Sequence, residues 1–131
     1  MTLKKGKPSV KLRGFARLPH AFSYSIAGLK SGWKEPAFAF EVMLATLLLP
    51  AAFFIGQGWL EVVMLVATVV LVLITELLNT ALEAAIDRIS EDHHELSKIA
   101  KDMASAAVLL ALLLCAGVWL AAVVARAIAW W

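Results

Sequence analysis

The sequence predicts an all-α membrane protein, a single integral membrane domain with three transmembrane helices after an amphipathic surface helix. Of its 131 residues, 62% are hydrophobic and the mean hydropathy is +0.83. Soluble domains have only about 45–50% apolar residues. Three long segments are apolar enough to cross a bilayer, and most basic residues precede the first of them. These observations together predict the fold class.

The N-terminal part of the chain is basic, with eight of the twelve Lys and Arg residues before residue 35. We expect residues 1–13 to form a basic extension. Within 14–34, apolar residues recur every three or four positions, which is typical of a helix lying on a membrane surface. This stripe consists of Phe15, Leu18, Phe22, Ile26, Leu29 and Trp33. Basic residues can bind nucleic acid, but in a membrane protein attraction to anionic lipid explains the same charges. We therefore expect no nucleic-acid partner.

The three predicted transmembrane spans are residues 37–55, 62–86 and 103–125. The last is 23 residues without a charge, which at about 1.5 Å per residue crosses a hydrocarbon core of about 30 Å. The second is apolar apart from threonine until Glu76. The first contains Glu41 near its start and Pro50. We expect Glu41 to have a structural role, by extending to the membrane interface or by pairing with Lys34.

Two connections of different length define the topology. Gly56 to Trp59 forms a tight turn, whereas residues 88–101 form a longer polar connection. With three crossings, the basic residues of this second connection lie on the same side as the basic N-terminus. The positive-inside rule therefore places both in the cytoplasm.

A polar stripe occupies the end of the second span. Glu76, Asn79, Glu83 and Asp87 are spaced three, four and four residues apart, so they share a helix face within an arc of roughly 80°. A charge at mid-bilayer costs about 2.5–3.5 kcal/mol on insertion scales and faces a protein interior or a polar cavity. We therefore expect the stripe to have a polar partner.

Residues at the same depth supply that partner. Lys101 and Asp102 directly precede the third span, Ser105 lies near its start, and Glu35 precedes the first span. Carboxylates beside water are natural Mg²⁺ ligands, and a neighbouring lysine suits a nucleotide's phosphates. A deeper glutamate such as Glu76 is suited to take a proton from a lipid hydroxyl. This pattern favours phosphate transfer from a nucleotide to a lipid alcohol, although neither a P-loop nor a kinase Gly-rich loop is present.

Two other interpretations of the stripe remain open at this point. The polar residues can act as hydrogen-bonding contacts between helices that fix an oligomer. Glu76 and Glu83 can instead form a proton or cation relay in a small ion-coupled transporter. The spacing of the residues does not distinguish these interpretations from a kinase.

The segments "ELLNTALEAAIDRI" and "HELSKIAKDMASAAV" closely resemble the prokaryotic diacylglycerol kinase family of small three-span membrane enzymes. The pattern E-x-x-N-x-x-x-E-x-x-x-D, followed at a set distance by A-K-D, is specific. Shorter N-terminal matches, including "FAR", "YS", "GL" and W-x-E-x-A-F, extend the resemblance over most of residues 15–125.

The resemblance implies ATP-dependent phosphorylation of diacylglycerol to phosphatidate by a homotrimer in the bacterial inner membrane, with Mg²⁺ as cofactor. Glu76 would be the general base, supported by Asn79, and Glu83 and Glu35 would bind the metal. The implied nucleotide contacts, besides Glu35 and Glu83, are Arg17, Tyr24, Asp92, His93, His94, Lys101 and Asp102. The implied lipid contacts, besides Glu76, are Trp33, Phe38 and Ser105. Undecaprenol kinase, which acts on a polyprenyl alcohol, is the alternative within the family.

Overall fold

A computed structural model describes residues 18–90 and 92–129 of the chain. These residues form four helices joined by short turns: α1 (Leu18–Gly32), α2 (Pro36–Ile55), α3 (Trp59–Ile89) and α4 (Glu95–Ile128). The predicted extension 1–13 and the first residues of the predicted surface helix lie outside the described residues. The surface placement of α1 remains a prediction.

The all-α membrane class predicted from the sequence is confirmed. Helices α2, α3 and α4 are each long and apolar enough to cross a membrane. Helices α3 and α4 have 31 and 34 residues, about 46 and 51 Å at 1.5 Å per residue, well beyond a hydrocarbon core of about 30 Å. The excess in α4 is mainly at its N-terminal end, because this helix starts at Glu95, eight residues before the uncharged run.

Helix boundaries follow local capping chemistry. Pro36 is the first residue of α2. Its lack of a backbone N–H costs nothing there, because that group would have no partner within the helix. At the start of α3 the Glu61 carboxylate accepts a hydrogen bond of 2.8 Å from the backbone N–H of Gln57. At the start of α4 the His94 Nδ1 accepts one of 3.2 Å from the backbone N–H of Leu96. His94 thereby satisfies an N–H group that a helix leaves unpaired at its first turn, whereas the Glu61 bond joins α3 to the turn that precedes it.

The core lies where α3 packs between α2 and α4. Its buried residues are Ala45, Ala52, Leu65, Val69, Trp119 and Ala122. The alanines allow the helix backbones to approach closely, as is common in membrane helix pairs. The Trp119 indole Nε1–H donates a hydrogen bond of 3.3 Å to the Leu65 carbonyl. This bond joins α4 to α3 near the end of the molecule that is remote from the polar stripe.

Candidate active site

The polar stripe on α3 runs from a buried glutamate to an exposed aspartate. Glu76 is 6% exposed and accepts no hydrogen bond from the described residues. One turn on, the Asn79 Nδ2 donates a hydrogen bond of 3.2 Å to Glu83 Oε1. The Asn79 Oδ1 is buried and has no partner among the described residues. The stripe therefore contains oxygens, those of Glu76 and Asn79 Oδ1, that accept no hydrogen bond from the described chain.

A cavity of about 290 Å³ lies where α3 ends and α4 begins. Its lining includes five residues predicted to contact a nucleotide, namely Asp92, His93, His94, Lys101 and Asp102. Asp87 and Lys98 also line it. The structure thus brings the predicted residues of the polar connection and of early α4 together around one open, polar space.

Two ion pairs neutralise the lysines of this cavity. Lys101 Nζ lies 2.5 Å from Asp87 Oδ1 and thereby links α4 to the end of the α3 stripe. Lys98 Nζ lies 2.5 Å from Asp102 Oδ2, one turn further along α4. All four side chains are at least one-third exposed, and exposed pairs of this kind are worth only about 0–1 kcal/mol.

The corner between α1 and α2 packs against α3 next to Glu76. Gly32, the last residue of α1, is buried, and a Cβ built on it would lie 2.6 Å from Leu77 Cδ2 and 3.1 Å from Phe38 Cδ1. The backbone N–H of Glu35 donates a hydrogen bond of 2.8 Å to the Gly32 carbonyl. The close approach at Gly32 therefore fixes the corner that carries Glu35.

Other predicted site residues lie apart from the cavity. Tyr24 on α1, Trp33 and Glu35 at the corner, and Ser105 on α4 are exposed and are not among the described residues that line it. Phe38, predicted as a lipid contact, is only 3% exposed because it packs under Gly32. Arg17 lies outside the described residues.

Glu41 is predicted to have a structural role, by reaching the interface or by pairing with Lys34. Its Oε2 is buried without a hydrogen-bond partner among the described residues, and no ion pair with Lys34 forms within them. The side chain points inward instead of reaching the surface lysine, so the ion-pair expectation is wrong.

The described side chains of the stripe supply only part of the ligand sphere of a cation. In residues 18–90 and 92–129, no three His, Cys, Asp or Glu side chains form a group able to hold a metal ion. Mg²⁺ commonly uses only one or two protein carboxylates and completes its sphere with phosphate oxygens and water. The unpartnered Asn79 Oδ1 beside Glu83 is an oxygen ligand of the type that such an ion accepts.

A sequence model of the prokaryotic diacylglycerol kinases matches residues 23–123, which include the whole polar stripe and the cavity. The chain belongs to this family. Similar proteins include the diacylglycerol kinase of Haemophilus influenzae, 44% identical over 110 residues, covering 83% of this chain and 93% of that protein. The diacylglycerol kinases of Escherichia coli K12 and Pseudomonas aeruginosa are each 42% identical over 107 residues, covering 81% of this chain and 88% and 87% of those proteins.

The family resemblance inferred from the sequence is thereby confirmed. The matched segment extends from just before Tyr24 to well beyond Ser105. It contains every predicted site residue except Arg17, which precedes it. The individual roles of these residues remain predictions.

Sequence reasoning missed two features of this site. Lys98 was not among the predicted contacts, although its spacing of four from Asp102 is typical of an ion pair on one helix face. His94 was predicted to contact a nucleotide, but the structure also uses its Nδ1 to cap α4. The tendency of polar residues to cap a following helix was the available signal for this second role.

Proposed function

We propose that this protein phosphorylates diacylglycerol to phosphatidate with ATP, at the cytoplasmic face of a bacterial inner membrane. The observation that carries the proposal is the family match, since it spans the stripe and the cavity together. The family is one of lipid kinases, so phosphoryl transfer from ATP follows directly. The finer assignments below come from the geometry of the site and from the family resemblance.

Glu76 is the proposed general base. Its carboxylate is buried within a span and accepts no hydrogen bond from the described residues, so no other donor competes with a lipid hydroxyl for it. It takes the hydroxyl proton as the lipid oxygen bonds to the γ-phosphorus and the bond from that phosphorus to the bridging oxygen breaks. Phosphatidate and ADP are the products. Such proton transfer contributes typically about 10²–10⁴-fold to a rate.

The cavity between α3 and α4 is the proposed nucleotide site. Lys101 faces it with a flexible ammonium group that can bind phosphate oxygens. Asp102 and the three residues Asp92, His93 and His94 form the rest of its polar wall. Tyr24 of α1 and Arg17, which lies outside the described residues, remain proposed nucleotide contacts.

Glu83 and Glu35 are the proposed Mg²⁺ ligands, with Asn79 supporting the site from between the acids. A bound Mg²⁺ neutralises phosphate charge during transfer. The chain's own contribution is to hold these oxygens at the membrane surface. Asn79 does so by its hydrogen bond to Glu83.

A homotrimer is proposed because the family resemblance implies one, and the division of the site residues between surfaces of one protomer supports an oligomer. Tyr24, Trp33, Glu35 and Ser105 are exposed and lie away from the nucleotide cavity. A neighbouring subunit can bring its copies of these residues to the cavity. Large apolar side chains such as Phe53, Leu47 and Leu110 are also at least two-thirds exposed, and lipid or neighbouring helices would cover them.

The membrane orientation is proposed from charge. The adjoining ends of α3 and α4 carry Arg88, Lys98 and Lys101. With three crossings, the basic N-terminal residues belong to the same side of the membrane. The positive-inside rule places that side in the cytoplasm, where ATP is available.

The experiment that tests the function uses purified protein in mixed micelles with labelled MgATP. Diacylglycerol and undecaprenol are offered separately and together, and labelled lipid products are separated. We expect phosphatidate as the main product. Labelled undecaprenyl phosphate in place of phosphatidate would favour the alternative acceptor. Proton flux without nucleotide would favour the transporter that the sequence pattern alone left open.

A further inference from the structure

The nucleotide cavity contains a second lysine to which neither the sequence pattern nor the family resemblance gave a role. Lys98 lines the same cavity as Lys101. Positions 98, 101 and 102 are three and four residues apart on α4, so their side chains share one helix face. Two ammonium groups from successive turns of one helix therefore face the same space.

Each of these ammonium groups is held by a different aspartate. Lys98 pairs with Asp102 of its own helix, and Lys101 pairs with Asp87 of α3, both at 2.5 Å. The Lys98 side chain is 61% exposed and that of Lys101 is 37% exposed. Lys98 is thus the more accessible of the two lysines.

A triphosphate is a stronger partner for these lysines than the aspartates are. Ion pairs at such exposure are weak because water screens them and both side chains lose conformational freedom. A triphosphate offers several charged oxygens to one flexible lysine, and charge-assisted hydrogen bonds to phosphate are among the stronger kinds. Exchange of carboxylate for phosphate needs only rotation of exposed side chains.

We propose that Lys98 is a second phosphate-binding residue of the nucleotide site, which exchanges the Asp102 carboxylate for a nucleotide phosphate as ATP enters. The inference rests on the proposed function, because it takes the cavity between α3 and α4 as the nucleotide site. In this proposal two lysines one turn apart, Lys98 and Lys101, bind the polyphosphate. Lys101 exchanges the Asp87 carboxylate for a phosphate in the same way.

The first test measures contact in the wild-type protein. A water-soluble amine-acylating reagent is applied in the presence of MgATP, MgADP or adenosine, and modification of each lysine is quantified by mass spectrometry. Exposed Lys30, in the last turn of α1 and outside the cavity lining, is the internal control. At ten times the Kd about 90% of sites are filled, so acylation of Lys98 falls by up to about tenfold with MgATP. Adenosine, which has no phosphate, leaves it unchanged.

The outcomes separate this inference from the proposed function. Protection of Lys101 without protection of Lys98 overturns the role of Lys98 and leaves the nucleotide site intact. Absence of protection at both lysines overturns the inference and the nucleotide site together. Protection of both lysines in a protein that does not phosphorylate diacylglycerol supports the inference and overturns the proposed function.

The second test uses Lys98→Gln, with Lys30→Gln as the matched control. Lys98 is exposed, so its loss leaves the packed core unchanged. We expect the KM for ATP to rise about fivefold. This is less than the loss of a buried hydrogen bond between charged groups would cause, because water screens the exposed lysine. The kcat and the KM for diacylglycerol stay unchanged, and Lys98→Arg restores the KM for ATP. A KM for ATP within twofold of that of Lys30→Gln overturns the inference.

Discussion

Replacing Gly32 with alanine tests whether the contact between α1 and α3 positions the corner that carries Glu35. The new Cβ would lie 2.6 Å from Leu77 Cδ2 and 3.1 Å from Phe38 Cδ1, whereas carbon atoms in contact lie about 3.5–4 Å apart. The Leu77 methyl can rotate away, but Phe38 is 3% exposed and has little room. We therefore expect the corner to move by an appreciable part of 1 Å.

The effect on activity should exceed the effect on stability. Overpacking costs about 1–3 kcal/mol, and alanine recovers up to about 1 kcal/mol of helix propensity relative to glycine. A displacement of 1 Å in a positioned group can lower a rate by about 10²-fold. For Gly32→Ala we expect kcat to fall about 10- to 100-fold and the Mg²⁺ requirement to rise, because Glu35 moves with the corner.

The assay is diacylglycerol phosphorylation at varied Mg²⁺, with thermal denaturation in the same detergent. Gly28→Ala is the matched control, since a Cβ at Gly28 meets nothing within 4 Å in the described chain. Adding Leu77→Ala to Gly32→Ala removes the nearest clashing methyl and should restore part of the rate, judged against Leu77→Ala alone. Equal kcat values for Gly32→Ala and Gly28→Ala would refute the reasoning.

Three further substitutions test the site and the helix pairing. Glu76→Gln should lower kcat by about 10²–10⁴-fold because the proton acceptor is lost, with unchanged thermal denaturation; near-normal turnover would show that another group is the base. Glu83→Ala should raise the Mg²⁺ concentration for half-maximal rate by about tenfold or more, or abolish MgATP binding measured by titration; an unchanged Mg²⁺ dependence would exclude it as a ligand. Trp119→Phe removes the hydrogen bond to Leu65 and should lower the free energy of unfolding in micelles by about 0.6–1.7 kcal/mol. An unchanged value would mean that the bond contributes nothing net.

The sequence was sufficient to predict three membrane-crossing helices and the residues that form the polar stripe. Long uncharged runs have few alternatives to transmembrane helices, because every backbone polar group in lipid must be satisfied internally. The spacing of Glu76, Asn79, Glu83 and Asp87 likewise fixes a shared face once α3 is a helix. These features depend on local periodicity alone.

Contacts between helices were not predictable in the same way. The pairing of Asp87 with Lys101 depends on how α3 and α4 cross, which local spacing does not specify. Glu41 was expected near Lys34, but its orientation depends on packing against α3 and α4. The close approach at Gly32 is visible only in three dimensions, since a glycine near the end of a helix is usually explained by capping.

Helices α3 and α4 are joined by specific polar contacts at both ends, Trp119 with Leu65 at one end and Lys101 with Asp87 at the other. Sliding one helix past the other by a single turn, about 5.4 Å, would break both contacts at once. The register of the hairpin therefore determines the depth of Glu76 relative to Lys101. A substitution at Trp119, some 27 Å along α4 from Lys101 at 1.5 Å per residue, can thus change the alignment of lipid and nucleotide without touching either.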